Sequence, residues 1–252
     1  MKPFFLLSLA AAMAATSPAP AAAADYPAVK TKAYSTPKWL FALRVDTQTL
    51  ARLTPVADPS VDFTLGPRVE ERQFDGYRHL GDLTLKLRVA GGEWQTYSSF
   101  AARQPITVLP AVRVLAAADI SASMGAGLPL TVERRWLNDK GALVLRYTLI
   151  NRGKQPVDIA EAGMPMVLAP DSTVKPRPGD QGSVEVTSHA GFKPVLRVQA
   201  DGRTPLLSWQ APAEQRAINE DHASWVTPGF TLQPGASRTI GLRFVARAQP
   251  TR

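Results

Sequence analysis

Three histidines, scattered carboxylates, one misplaced arginine and a few tryptophans are the side chains here that could do chemistry. Acid–base work needs a carboxylate and a histidine converging on one group of a ligand. His79 has the parity of Leu83 and Leu85, so it is expected to look into the interior of a strand layer, as an acid or as a satisfied structural histidine, although Gly81 could break the alternation. His189 precedes Ala190-Gly191 in a turn, and His222 closes the polar run Asn219-Glu220-Asp221; both read as surface loop residues. No His-x-His or His-x-x-x-His pair occurs, and Asp171, Asp180, Glu220 and Asp221 lack calcium-loop spacing, so neither a metal nor a cofactor is expected. Arg134 sits between Val132 and Trp136 on an apolar strand face. A guanidinium there could grip a carboxylate or phosphate in a fork, or run to the sheet edge with its stem covering apolar surface. Trp94, Trp209 and Trp225 could stack on a ligand face or simply fill a core. No Gly-x-Ser-x-Gly elbow and no phosphate loop appears. His79, Arg134 and Trp209 are thus the ligand-binding candidates, and no residue stands out as catalytic.

The elements that must position these residues are strands. Residues 1–24 read as an export signal: Lys2, the apolar run Phe4 to Ala15, and an Ala22-Ala23-Ala24 cleavage site before Asp25. Export predicts a periplasmic or secreted protein, residues 25–252, with no membrane attachment once the signal is gone. The chain has no cysteine, which excludes disulfides, thiolate catalysis and Cys-ligated zinc. Its formal charge of +8 comes from dispersed arginines rather than a basic run. That pattern reads as a solvated surface or a match to an acidic polysaccharide, not to nucleic acid.

Outside the signal no segment keeps a 3.6-residue apolar period, and the 22 prolines fall mostly between apolar runs. Strand signals recur every ten to fifteen residues. Leu83, Leu85, Leu87 and Val89 share one face, as do Ile240, Leu242 and Phe244. Gln48 to Leu53 reads as a helical turn or irregular piece, and Val61 to Leu65 as a strand. The organising stretch is Leu128 to Leu168, two long strands around Asn138-Asp139-Lys140-Gly141 and then a third. Leu143, Leu145, Tyr147 and Leu149 face one way with Val132 and Trp136. The pattern predicts Leu137 opposite Ala142, hence Trp136 against Leu143, Val132 against Tyr147 and Glu133 against Arg146; a Gly141 bulge could shift it. The whole is expected to be one all-β domain of two large, mainly antiparallel packed sheets.

LVLRYTLINRGKQPVDIAEAGMPMVL, Leu143 to Leu168, resembles the β-supersandwich of galactose-mutarotase-like domains, in which a long strand ends in Asn and a polar turn. More narrowly the chain resembles a family of exported bacterial and fungal proteins of unassigned function, in which an N-terminal supersandwich precedes a six-hairpin α/α toroid of glycosidase type. The matching pieces, in order, are RVDTQTLARLTP (Arg44 to Pro55), GYRHLGDLTLKLR (Gly76 to Arg88), EWQTYSS (Glu93 to Ser99), VLAAADI (Val114 to Ile120), the hairpin, and TLQPGASRTIGLRF (Thr231 to Phe244). The toroid is not in this chain, and the segment between Trp209 and Trp225 is short.

The resemblance implies a non-catalytic supersandwich region of a carbohydrate-active, glycoside hydrolase-like protein. It would pack on a toroid in cis or in trans and form one wall of a glycan groove, with carbohydrate, including acidic glycans, as ligand. Trp39, Phe41, Trp225 and Phe230 would edge the apolar docking face. The resemblance equally allows a stand-alone mutarotase- or epimerase-like enzyme using a His and a carboxylate, or a periplasmic glycan-binding module presenting exposed aromatics. Hydrolysis would need two carboxylates about 5–9.5 Å apart, which sequence spacing does not place.

Overall fold

The computed structural model describes residues 30–64, 79–102, 104–168, 172–176, 183–188, 195–202, 204, 208–210 and 222–247, nearly all of them strand or the turns between strands. The signal segment, His189 and the Asn219 to Asp221 run lie outside the described residues.

Three antiparallel sheets share the core. The smallest is β1 (Thr31–Ser35), β2 (Trp39–Arg44) and β3 (Leu50–Pro55), in that order. A six-stranded sheet runs β14 (Ser208–Gln210), β15 (His222–Thr227), β10 (Val157–Val167), β4 (Thr84–Val89) and β5 (Gln95–Ser98), with β16 (Phe230–Leu232) also on β10. The eight-stranded sheet runs β11 (Ser172–Pro176), β12 (Val184–Ser188), β13 (Val195–Ala200), β17 (Ser237–Arg247), β9 (Ala142–Ile150), β8 (Thr131–Asp139), β7 (Ala116–Asp119) and β6 (Thr107–Val108). The all-β expectation holds; the third, smaller sheet is additional to the two foreseen. It packs on the turn end of the large sheet, where the Trp39 indole N–H donates to the Phe244 carbonyl at 3.1 Å and the Phe41 ring lies 6.3 Å from that of Trp136.

Gln48 to Leu53 is not helical: from Leu50 onward it is β3. Phe41 pairs with Leu53 and Ala42 with Arg52, but Leu43 pairs with Leu50, so Ala51 is an extra, bulged residue. The bulge brings Leu50 and Leu53 to one side although they are three apart in sequence, which is what imitated a helix. Val61 and Phe63 are buried without forming a strand, and His222 opens β15 rather than lying in a loop.

The central hairpin keeps its predicted faces and changes its register. Val132, Trp136, Leu143, Leu145, Tyr147 and Leu149 are fully buried, each aliphatic contributing about 1.5–3 kcal/mol on leaving water. The closing pair, however, is Asp139 with Ala142, so Trp136 faces Leu145, Val132 faces Leu149, Arg134 faces Tyr147 and Glu133 faces Thr148. The turn is only Lys140-Gly141, with φ of +52° and +85°, the left-handed pair that a two-residue hairpin turn of the right twist requires. The shift is two residues from the expected pairing, and a shift of two leaves every side chain on its face. It sets Arg135 opposite Arg146. Each is drawn aside by a carboxylate, Arg135 by Glu133 at 2.8 Å and Arg146 by Asp201 in a fork at 2.5 and 3.2 Å. Because an L side chain at Gly141 would be held left-handed, Gly141→Ala is expected to cost about 1–2 kcal/mol, read from the urea midpoint; an unchanged midpoint would mean the turn relaxes freely.

The strand β9 is followed directly by Asn151, fully buried at the corner. Its side-chain amide donates to the carbonyls of Gln155 (2.8 Å) and Leu232 (2.9 Å), and its carbonyl oxygen accepts from the Gly153 amide at 2.9 Å. A polar residue can end a buried strand here only because all of these groups are paired. At the other layer Leu85, Leu87, Ile159, Met164 and Trp225 close the core. The expectation that Trp39, Phe41 and Trp225 edge an exposed docking face is not met: they are 0%, 2% and 0% exposed. Phe230 is half-buried, with the Arg238 guanidinium 4.3 Å from its ring centroid. Nearness to the sequence ends does not place a residue near the surface.

Candidate functional site

Two of the three sequence candidates meet at one buried place. Arg134, on the inward face of β8, is 1% exposed. Its terminal nitrogens donate to the carbonyls of Gly81 and Thr47. Two residues on, the Trp136 indole N–H donates to Gln48 O at 3.0 Å. The Tyr147 hydroxyl, across the hairpin, donates to Asp82 O at 2.9 Å. The Asp82 carboxylate accepts from the His79 amide (2.8 Å) and from the Ser99 hydroxyl (2.8 Å), while Ser99 Oγ accepts from the Leu83 amide at 2.9 Å. His79 itself is 6% exposed. Gly81 has φ +106°, and a Cβ there would sit 3.0 Å from Thr49 Cα and 3.3 Å from Trp136 Cζ2, so only glycine lets the 79–82 turn approach the hairpin this closely.

Electrostatics follow the burial. Desolvation lowers the Arg134 pKa, with Tyr147 and Asp82 opposing the shift. Desolvation drives the Tyr147 phenol up, only partly offset by Arg134. Both terminal nitrogens of the Arg134 guanidinium are thus bonded to main-chain carbonyls, while its Nε is buried without a hydrogen-bond partner. Trp209 lies elsewhere, in β14 opposite Trp225 at one edge of the six-stranded sheet. Trp94 is 41% exposed, with the Arg88 guanidinium 4.5 Å from its ring centroid and Arg88 Nε 3.1 Å from Asp158.

The openings among the described residues include two at the small sheet and one of about 280 Å³ at the Asn151 corner, bordered by Val89, Pro129, Lys154 and Val157. A groove of about 850 Å³ spreads over the outer side of the three-stranded sheet, lined by Ala33, Leu40, Ala42, Arg52 and Asp62 among others. A slot of about 170 Å³ opens where the β1 edge of that sheet meets the β6–β7 edge of the large one, bordered by Lys32, Tyr34, Arg44, Gln48, Val108 and Leu109. Arg44 and Gln48 are 7% and 8% exposed, yet Arg44 Nη1 and Gln48 Oε1 have no hydrogen-bond partner. Gln48 also holds φ +51°, an uncommon conformation for a side chain of its size that costs about 1–3 kcal/mol and often marks function. These residues were not singled out from the sequence. Their signal was the polar run Asp46-Thr47-Gln48-Thr49 between two apolar segments, which reads as an ordinary turn.

Arg44 is held by Asp46, with Nε to Oδ1 at 3.1 Å and Nη2 to Oδ2 at 2.8 Å. Burial alone would raise the Asp46 pKa, but the Arg44 hydrogen bonds and charge, with the Thr47 amide, outweigh it and hold the carboxylate below its ordinary range. This pair therefore stabilises the turn above the ordinary aspartate pKa of about 4 and stops doing so as pH falls through the depressed value. With Asp46 54% exposed, the contribution is expected to stay below about 1 kcal/mol. Asp46→Asn should reduce the loss of stability between neutral pH and the acid limb; parallel acid curves for the two chains would show that the pair contributes nothing.

Residues 42–219 match a family of unknown function, DUF5695. The chain belongs to this family. No curated protein matches it in sequence. In structure it is similar to the Slr1438 protein from Synechocystis sp. PCC 6803 (TM-score 0.61, 10% identity, 90% of this chain and 99% of that one). It is also similar to a galactose mutarotase-like protein from Lactobacillus casei ATCC 334 (TM-score 0.56, 11% identity, 86% and 100%) and to the polysaccharide lyase BACCELL_00875 (TM-score 0.59, 14% identity, 86% and 33%). This DUF5695 chain thus has the galactose-mutarotase-like fold, and it spans one third of the lyase's length.

Proposed function

We propose that this DUF5695 chain is an exported, non-catalytic supersandwich region of a carbohydrate-active protein, contributing one wall of a glycan-binding groove beside a helical toroid. The observation that carries this reading is the state of its buried polar cluster. Among the described residues, the place where the fold brings together a histidine, a carboxylate and an arginine is sealed from solvent, with Asp82, Arg134 and the His79 amide committed to bonds that hold the turn and hairpin in place. Two of the openings among the described residues lie instead on and beside the small sheet. The structural likeness supports a partner domain, because the same sandwich is one third of a polysaccharide lyase.

Residues 25–252 are expected to be retarded in a native gel containing a soluble polysaccharide and to leave the polarimetric rate of glucose or galactose mutarotation at the buffer value. A panel of pectate, alginate and dextran that retards nothing would overturn the glycan reading. A mutarotation rate well above buffer, lost in His79→Asn, would replace it with a sugar-converting enzyme, the second reading that the galactose mutarotase-like neighbour favours.

A further inference from the structure

The slot between β1 and β6–β7 is built for a ligand of particular chemistry, and we infer that it takes a single uronate ring, a sugar carrying a carboxylate. This rests on the glycan-binding reading and names the ligand class. Three observations converge on it. The first is charge. Arg44 is spent on Asp46 through Nε and Nη2 only, which leaves Nη1 with two unused N–H donors at the buried end of the slot. Lys32 adds a second cation at the rim, its ammonium 5.4 Å from the Tyr34 ring centroid. Two cations against one exposed, already paired carboxylate leave the slot net positive, so an anionic group is favoured there.

The second observation is the acceptor. Gln48 uses its amide nitrogen on Ala117 O at 3.3 Å, while Oε1 is buried with no partner. A buried acceptor without a donor is costly. A simple anion such as acetate satisfies Arg44 and leaves Gln48 unsatisfied, whereas a ring bearing both a carboxylate and hydroxyls satisfies both. The third is size and shape. About 170 Å³ is close to the roughly 150 Å³ that holds one six-membered ring, and Tyr34, Leu43 and Leu109 give the slot apolar walls. Both unpartnered atoms are buried although their residues line the slot, so a ring that bonds them displaces part of the rim. On one side that rim is β6, a two-residue edge strand whose Val108 is 67% exposed. Gln48 holds this position on a left-handed backbone, φ +51°.

Calorimetric titration of residues 25–252 with glucuronate, glucose and acetate tests the inference, each variant being checked for folding by near-ultraviolet circular dichroism. Saturable binding of glucuronate is expected, with glucose and acetate each weaker by at least about tenfold, the loss of one charge-assisted hydrogen bond. Gln48→Glu should repel the carboxylate and abolish the signal. Lys32→Gln, at an exposed position that carries no core contact, should weaken binding severalfold and guards against a folding defect in the first variant. Glucose binding as tightly as glucuronate, acetate binding equally well, or either variant leaving glucuronate unaffected would overturn it. The two readings fail separately. Polysaccharide retardation with no glucuronate binding would sink the slot and spare the glycan reading; glucuronate binding lost in the variants, without any polysaccharide retardation, would do the reverse.

Discussion

Replacing Trp136 with alanine is expected to cost about 3–5 kcal/mol, the range for removing a large aromatic from a packed core. The side chain is fully buried in the middle of β8. It packs against Phe41 of the small sheet, fills the space beside Gly81, and donates to Gln48 O. Its loss opens a cavity at the meeting point of the small sheet, the 79–82 turn and the large sheet, and no neighbouring element can collapse into it without breaking its own pairing. Trp136→Phe should cost much less, since it keeps most of the volume and gives up one hydrogen bond worth about 1 kcal/mol. Urea unfolding of the three chains checks this. Similar values for the two substitutions would mean that the hydrogen bond, not the volume, fastens the small sheet.

Arg134→Ala is expected to fall in the same range, about 3–5 kcal/mol, by a different route. Two buried carbonyls, Gly81 O and Thr47 O, lose their donor, at about 1–3 kcal/mol each, and the space occupied by the stem empties as well. Against this stands the relief of desolvating one cation. Arg134→Met separates these effects because it keeps apolar volume while removing the donors. It should be more stable than the alanine variant and less stable than the parent. A methionine variant as stable as the parent would show that desolvation relief cancels the hydrogen bonds. A parent-like stability for both would return Arg134 to the role of a ligand-binding residue.

The faces of the central hairpin were legible because period-two alternation is a strong signal where one side is buried, as at Leu143, Leu145, Tyr147 and Leu149. Its register was not legible. Pairing Leu137 with Ala142 or with Val144 leaves the same residues inside, so hydrophobic pattern cannot choose between them. The choice falls to Lys140, which adopts φ +52° although lysine has no particular liking for it. The strand β3 was hidden by its bulge at Ala51, and the small sheet was hidden with it. The corner at Asn151 was readable as a motif, while its reason, three satisfied polar groups, needed the partners Gln155, Leu232 and Gly153. Of the site candidates, Arg134 was correctly seen as anomalous among its neighbours, but sequence parity says only which face a residue occupies, not whether that face opens to a groove. Arg44 and Gln48 went unnoticed because their distinction is an unfilled bonding capacity, which no spacing reveals.

The position of β17 also governs how this chain can assemble. It lies between β13 and β9, although it is the last of the described strands in sequence. Until it is inserted, the β11–β12–β13 block and the β9–β8–β7 block are separate pieces, each with an open hydrogen-bonding edge. The same strand accepts the Trp39 indole across 205 residues of chain. Closing so long a loop must precede the reward from its contacts, which slows folding and lengthens the exposure of unpaired edges. Folding of this domain is therefore expected to be limited by one late, long-range step, with the half-built sheet as the species most prone to aggregate.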